Sequence, residues 1–240
     1  MKNRLDKEIV HRGLAETRSQ AESLIRLGEV EVDGQVVNKT GYSVSENNRV
    51  KVNQTENYVS RAGLKLAGAN RKFKVNFGGK VVLDVGSSTG GFSDYALQNG
   101  AKKVVAVDVG TSQLHPKLRS NKQIELHEKT DIRDFKPKLM PDIILVDVSF
   151  ISLRQALPHL VQISSKATLI LAMAKPQFEA GREQVNRGVV KNERIRRQIL
   201  KNFESWVQKL FRIMDKADSE VPGSKGNLER FYLLKPLPRR

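Results

Sequence analysis

Apolar side chains recur along the first fifty residues at helical spacing and then at alternating spacing. Leu5, Ile9, Val10 and Leu14 share one helical face, with Gly13 near the end of that segment. Thr17-Arg18-Ser19-Gln20 has the form of a capping box and opens a second helix that turns Ala21, Leu24 and Ile25 inward. Gly28 supplies the left-handed backbone that ends it. Val30 and Val32 alternate with Glu29 and Glu31 as a half-buried strand, Asp33-Gly34 is a two-residue hairpin turn, and Val36-Val37 begins the return. Arg49-Val50-Lys51-Val52 reads as a further strand, and the polar stretch 53–57 as a linker.

From about residue 80 the pattern changes. Strands are expected at 80–85, 103–108, 123–127, 142–147, 167–174 and 231–234, and helices at 92–98 and 192–210. Strands alternating with helices give a doubly wound, mostly parallel α/β sheet behind a small N-terminal α+β unit.

Composition narrows the chemistry. The chain has no cysteine, which removes disulfides, thiolate metal sites and cysteine nucleophiles, and suits a cytoplasmic protein. Its four histidines show no metal-ligand spacing, so no metal is expected. The N-terminus lacks the apolar core of a signal peptide, and the longest apolar runs are less than half of the roughly 20 residues a membrane span needs. A formal charge of +16 calls for a polyanionic partner, nucleic acid first. Residues 1–57 hold nine basic and nine acidic side chains, so the whole surplus lies in residues 58–240.

Asp84-Val85-Gly86-Ser87-Ser88-Thr89-Gly90-Gly91-Phe92 follows the first long strand, where an open parallel sheet binds ligands. The glycines allow a sharp turn and close backbone approach. Asp108, ending the next strand, suits a ribose diol, and Asp131, after the third, suits an adenine amino group. The loop lacks the lysine of a P-loop, and its glycine spacing differs from that of dinucleotide sites. S-adenosylmethionine, which has no pyrophosphate, is the better match. Cofactor contacts are expected at Asp84, Gly86, Ser87, Ser88, Thr89, Gly90 and Phe92, and at Asp108, Asp131, Ile132 and Asp147.

Lys65, Asp147, Lys175 and Glu229 stand out because each ends a strand or sits in a short charged motif. A salt-bridge cluster at the sheet rim is the bland reading. The chemical reading is methylation of a hydroxyl: one lysine, held neutral by an adjacent cation, takes the acceptor's proton while carboxylates orient the lysines. Asp147-Val148-Ser149-Phe150 is not the Asn/Asp-Pro-Pro-aromatic motif common among amino-methylating enzymes, and cytosine carbon-5 methylation needs the absent cysteine. A ribose 2′-hydroxyl of RNA remains. Phe150 either stacks a flipped base or, as the preferred reading, is a core residue.

These motifs resemble the TlyA family, whose members are named both as hemolysins and as FtsJ-like ribosomal RNA methyltransferases. Arg4-Leu5-Asp6, Gly13, Thr17-Arg18, Leu24-Ile25, Gly28, Val30, Val32 and Asp33-Gly34 resemble an S4-type RNA-binding domain. Tyr58-Val59-Ser60-Arg61-Ala62-Gly63-Leu64-Lys65-Leu66 is similar to the family's lead-in to the catalytic domain, and 84–92, 107–110, 147–153 and 175–182 continue the likeness. The resemblance implies a Rossmann-like methyltransferase with a Lys65, Asp147, Lys175 and Glu229 tetrad and S-adenosylmethionine as cofactor. The implied product is a 2′-O-methylcytidine in large-subunit ribosomal RNA, with small-subunit RNA a second target for some members. Two departures are Ser87, where the family has a small apolar residue, and Arg230, which separates Glu229 from the aromatic Phe231. The expected division is 1–55 for RNA binding, 56–59 as linker and 60–240 for catalysis. RNA contacts are expected from Arg4, Arg12, Arg18 and Arg61, with most phosphate neutralisation from Arg187, Lys191, Arg194, Arg196, Arg197 and Lys201. A membrane-active cytolysin and a catalytically silent RNA-binding protein are the competing readings.

Overall fold

The computed structural model describes residues 3–15, 17–26, 28–53, 58–190, 192–223 and 225–238. Most of the expected linker, and Lys191, lie outside them. The N-terminal unit runs β1 (Asn3–Arg4), α1 (Leu5–His11), α2 (Arg18–Arg26), β2 (Val30–Val32), β3 (Gln35–Val36), β4 (Ser43–Val44) and β5 (Val50–Val52). β2 lies between β3 and β5, and β1 pairs with β4, all antiparallel. Leu5 and Ile9 of α1 and Ala21, Leu24 and Ile25 of α2 pack against Val30, Val32, Val37 and Val44. Thr17 Oγ1 accepts from Gln20 N–H at 3.2 Å, starting α2. Asp33 and Gly34 both take positive φ, 52° and 82°, as a tight hairpin demands. The Asp33 carboxylate also accepts from Asn48 Nδ2 and Arg49 N–H at 2.6 and 2.7 Å, which ties the hairpin tip to β5.

The larger unit follows as α3 (Arg61–Phe73), β6 (Val81–Val85), α4 (Gly91–Gln98), β7 (Lys103–Val107), α5 (Pro116–Arg119), β8 (Ile124–His127), β9 (Ile143–Val146) and α6 (Leu153–Gln162). It ends with β10 (Leu169–Ala174), α7 (Pro176–Glu179), α8 (Glu193–Val207), β11 (Phe211–Asp218) and β12 (Arg230–Pro236). The seven strands lie in the order β11-β12-β10-β9-β6-β7-β8. Those from β8 to β10 are parallel, while β12 runs antiparallel to both of its neighbours. α6 and α8 cover one face through Leu153, Leu157, Leu160, Leu200, Phe203 and Val207. α3 and α4 cover the other through Leu64, Leu66, Phe73, Phe92 and Tyr95. Covered on both sides, β9 and β10 are nearly pure aliphatic runs. Strand order reverses between β6 and β9, which places a crevice at their carboxyl ends.

The sequence reading leaves out α3, α6 and β11. The sheet is mostly parallel, as expected, with β11 and β12 as its antiparallel margin. Tyr58 and Val59, placed in the expected linker, are seated on α4: the Tyr58 ring lies 5.6 Å from that of Tyr95, and Val59 N–H donates to Asp94 Oδ2 at 2.8 Å.

Candidate active site

A cavity of about 360 Å³ opens where β6, β7 and β9 end. Gly86 forms its floor with φ 78°, and its N–H donates to Val107 O at 2.9 Å. A Cβ at this position would stand 2.7 Å from Asp147 O, a backbone atom, so only glycine lets the loop and the end of β9 meet. Asp108 is held by Ser88 N–H and Gly110 N–H, at 2.8 and 2.7 Å. Asp131 is gripped by Arg133 through Nε at 2.9 Å and Nη2 at 2.6 Å, which holds its carboxyl below the usual range. Ser88, Ile132 and Asp147 complete the expected contacts on the wall, with Val109, Gly110, Gln113 and Thr130 beside them.

Asp84, Ser87, Thr89, Gly90 and Phe92 do not line that wall. Asp84 is fully buried inside β6, where its Oδ2 accepts from Ser93 Oγ at 2.6 Å. Burial pushes its carboxyl up to about 7, and the charges of Asp147 and Asp108 add to the effect. Phe92 is buried with its ring 5.9 Å from that of Phe231. Thr89 O accepts from His115 N–H, and Gly90 packs beneath Leu114 and Leu118. These residues shape the loop from behind.

The four charged residues form two ion pairs, one of which reaches the cavity wall through Asp147. Lys175 Nζ lies 2.6 Å from Asp147 Oδ1 and donates to Ser149 Oγ at 2.7 Å. Lys65 Nζ, from α3, donates to Glu229 Oε2 at 2.5 Å. Lys65, Lys175 and Glu229 are at least nine-tenths buried. Ala174 pairs with Arg230 and Ala172 with Val146, so Lys175 stands level with Glu229 on one side and near the end of β9 on the other. Arg230 does not displace Glu229. It turns the other way, and its guanidinium takes Asp218 through Nε at 2.6 Å and Nη2 at 3.1 Å. The rim salt-bridge reading is right about the pairing, but rim charges would be solvated, and Lys65, Lys175 and Glu229 are not, while Asp147 keeps some exposure on the cavity wall.

Ser149 is a site residue the sequence reading did not single out, although it lies within the quoted Asp147-Val148-Ser149-Phe150. Phe150 overturns its expected place in the core. It is 91% exposed, has φ 69°, and its ring lies 5.8 Å from that of Phe178.

The expected RNA contacts divide. Arg4 and Arg18 converge on the buried Asp6, at 2.8 and 2.9 Å, and stay half exposed. Arg12 is a structural clamp: it binds Glu8 at 2.9 Å and donates to the carbonyls of Asn48 and Ser45, at 2.8 and 3.0 Å. Arg196 is also withdrawn, 4% exposed, on Leu228 O and Asp218. Arg187, Arg194, Arg197 and Lys201 are exposed, Arg197 with Glu193 at 3.1 Å. Arg61 is half-buried in a second cleft of about 1110 Å³ between the N-terminal unit and α3, which reaches Lys65 and is lined also by His115 and Lys117.

Residues 58–235 match the FtsJ-like methyltransferase family and residues 3–54 the S4 domain. The 16S/23S rRNA (cytidine-2'-O)-methyltransferase TlyA of Mycobacterium tuberculosis is 38% identical over 239 residues, covering 97% of this chain and 89% of the relative. The chain belongs to the TlyA family of FtsJ-like methyltransferases. Within that family, Hemolysin A of Brachyspira hyodysenteriae is 36% identical over 94% of this chain and 97% of its own length. A solved structure from Streptococcus thermophilus, also carrying a hemolysin name, superposes with a TM-score of 0.73 at 37% identity, covering 98% of this chain and 88% of that one. The family's fold is thus that of a methyltransferase with an S4 domain before it.

The cavity's own chemistry bears on the cofactor. Among the described residues its lining contains Asp108, Asp131 and Asp147 but no lysine or arginine. A dinucleotide's pyrophosphate would find no cationic side chain among them, whereas a sulfonium cation with an adenosine tail meets acceptors for its amino group and ribose. The residues match S-adenosylmethionine.

Proposed function

We propose that this chain uses S-adenosylmethionine to methylate a ribose 2′-hydroxyl of ribosomal RNA in the cytoplasm. The target is a cytidine, in the large subunit first and the small subunit second. The proposed division gives residues 1–55 to RNA binding, 56–59 to a linker and 60–240 to catalysis. The observation that carries the reading is the two lysine–carboxylate couples, one of them reaching a cavity walled by aspartates.

Gly86, Asp108, Asp131 and Ile132 would hold the cofactor, which supplies a methyl group on a positively charged sulfur. When bound, it would give that methyl to the 2′-oxygen, the sulfur keeping the electron pair of the broken sulfur–carbon bond. Lys175 Nζ receives the hydroxyl proton. To do so it must first hand on its own, and Asp147 Oδ1 is 2.6 Å away. Lys65, fixed by Glu229, supplies positive charge beside the developing alkoxide. Phe150 offers an exposed ring on which the target base can stack. The cleft reaching Lys65, with Arg61, His115 and Lys117 in its lining, gives the RNA an approach from the N-terminal unit.

The sequence leaves two competing readings. Among the described residues no helix is long and apolar enough to cross a membrane, so nothing there favours the cytolysin. A silent RNA-binding protein would have no use for two such ion pairs, one of them reaching the cavity. The test is to incubate unmodified ribosomal subunits with the protein and labelled S-adenosylmethionine and to map 2′-O-methyl groups. Label on a cytidine ribose is expected; label on a base, or none on RNA, would overturn the reading.

A further inference from the structure

The segment joining β9 to α6, residues 147–152, is tied at both ends to the segment that follows β10. At its start Lys175 engages Asp147 and Ser149. At its end Ser152 Oγ donates to Glu179 Oε2 at 2.6 Å, and Leu153 N–H donates to Glu179 Oε1 at 2.7 Å. The Glu179 side chain is 1% exposed, with Arg154 Nε 3.7 Å away. Burial holds its carboxyl above the usual range.

Helix α6 does not need this carboxylate to begin. Ser152 Oγ already accepts from Arg154 N–H at 3.0 Å and serves as the helix cap. What Glu179 adds is a second fixed point for the loop. Between the two fixed points stand Phe150 and Ile151. Phe150 takes the left-handed backbone, rare for a bulky residue, and shows its ring to solvent beside Phe178, which shares α7 with Glu179. Strain of that kind persists only where the surroundings over-determine it.

We propose that Glu179 is a positioning residue for the target nucleotide: by fixing Ser152 and Leu153 it holds Phe150 outward as the stacking face of the RNA site. This rests on the reading of the site as an RNA methyltransferase. Glu179 does not touch the reacting atoms, so its effect falls on substrate affinity and runs through Phe150.

The test is a double-mutant cycle in the full-length protein with Glu179→Gln, Phe150→Ala and the pair. Its readouts are KM and kcat for ribosomal RNA and Kd for S-adenosylmethionine. Glutamine keeps the shape but replaces one accepting oxygen with a donor. The expected result is a rise in KM of about tenfold for each single variant, with the double no worse than the weaker single and cofactor affinity unchanged in Glu179→Gln, which lies outside the cavity lining. Ser152→Ala, which removes one of the two bonds, should raise KM less, and it takes the place of Glu179→Gln in the cycle if that variant does not fold. Independent effects that multiply in the double variant, an unchanged KM, or a loss confined to cofactor binding would each overturn the role. In all of these cases the wild-type protein is active. A wild-type protein that transfers no methyl to RNA overturns the reading of the site, and this role with it.

Discussion

Asp84 is the most strongly perturbed carboxyl near the cavity, and its neutralisation has a calculable consequence. Its side chain is fully buried, one oxygen accepts from Ser93 Oγ, and the other has no partner in the protein. Burial raises it from an ordinary 3.8 to about 7. A carboxyl raised on folding binds more protons in the folded than in the unfolded state. Stability therefore falls as pH rises from about 4 to about 7 and then levels off. The full step corresponds to about 4 kcal/mol, of which about 2 kcal/mol falls between pH 5.5 and 8.5. Asp84→Asn removes this titration while retaining an acceptor for Ser93. Its amide leaves one donor unsatisfied, at a cost of about 1–3 kcal/mol that does not depend on pH. Relative to wild type, the variant should therefore gain about 2 kcal/mol on going from pH 5.5 to 8.5. Urea unfolding followed by Trp206, the chain's one tryptophan, measures both proteins at both pH values, and titrating groups that do not interact with Asp84 cancel in the difference. A stability difference that is the same at the two pH values would falsify the assignment of a raised carboxyl at Asp84.

Four further outcomes are expected. Lys65→Met should abolish methyl transfer and lower stability by about 3 kcal/mol in denaturant titrations, because it strands the buried Glu229; adding Glu229→Gln should recover most of the stability and none of the activity. Gly86→Val should eliminate cofactor binding by calorimetry and also lower the melting temperature, since its Cβ would strike the backbone at Asp147; an unchanged affinity would remove the loop from the cofactor site. Arg12→Ala should destabilise the protein by about 2 kcal/mol by removing its bonds to Glu8, Ser45 and Asn48, while affinity for RNA at fixed salt changes little in a binding titration. Reversing Arg194 and Arg197 to Glu should weaken RNA binding and flatten its log–log salt dependence by about 0.7–0.9 for each phosphate no longer neutralised, with cofactor affinity intact; an unchanged slope would make that face merely solvated.

The parallel sheet was legible because β6, β7 and β9 are short, largely aliphatic runs closed by a glycine turn or an acid. Asp147 and Lys175 could be picked out because a charged residue at the end of such a run is conspicuous. Other features depend on distant partners. α3 is dotted with Gly63 and Gly68, which mask its helical period; Gly63 is required because a Cβ there would stand 2.4 Å from the Tyr58 side chain. β11, Phe211–Asp218, carries charges on its outward positions and gains its place only by pairing with β12. Apolarity alone puts Phe150 in the core, since local sequence cannot show that Lys175 and Glu179 fix the loop on either side of it. Arg196 could have been read correctly. It shares a helical face with Ile199, Leu200, Phe203 and Val207, and an arginine on an apolar stripe is more often an internal clamp than a phosphate ligand.

The insertion of β12 between β10 and β11 has a consequence for timing. Lys65 and its partner Glu229 are 164 positions apart along the chain. A chain that has emerged only as far as Asp218 already holds every wall of the aspartate-lined cavity, yet its Lys65 has no counter-ion and its sheet no closing strand. During synthesis the residues of the cavity are thus complete before those of the Lys65–Glu229 pair, which waits for a strand that lies between two others already made.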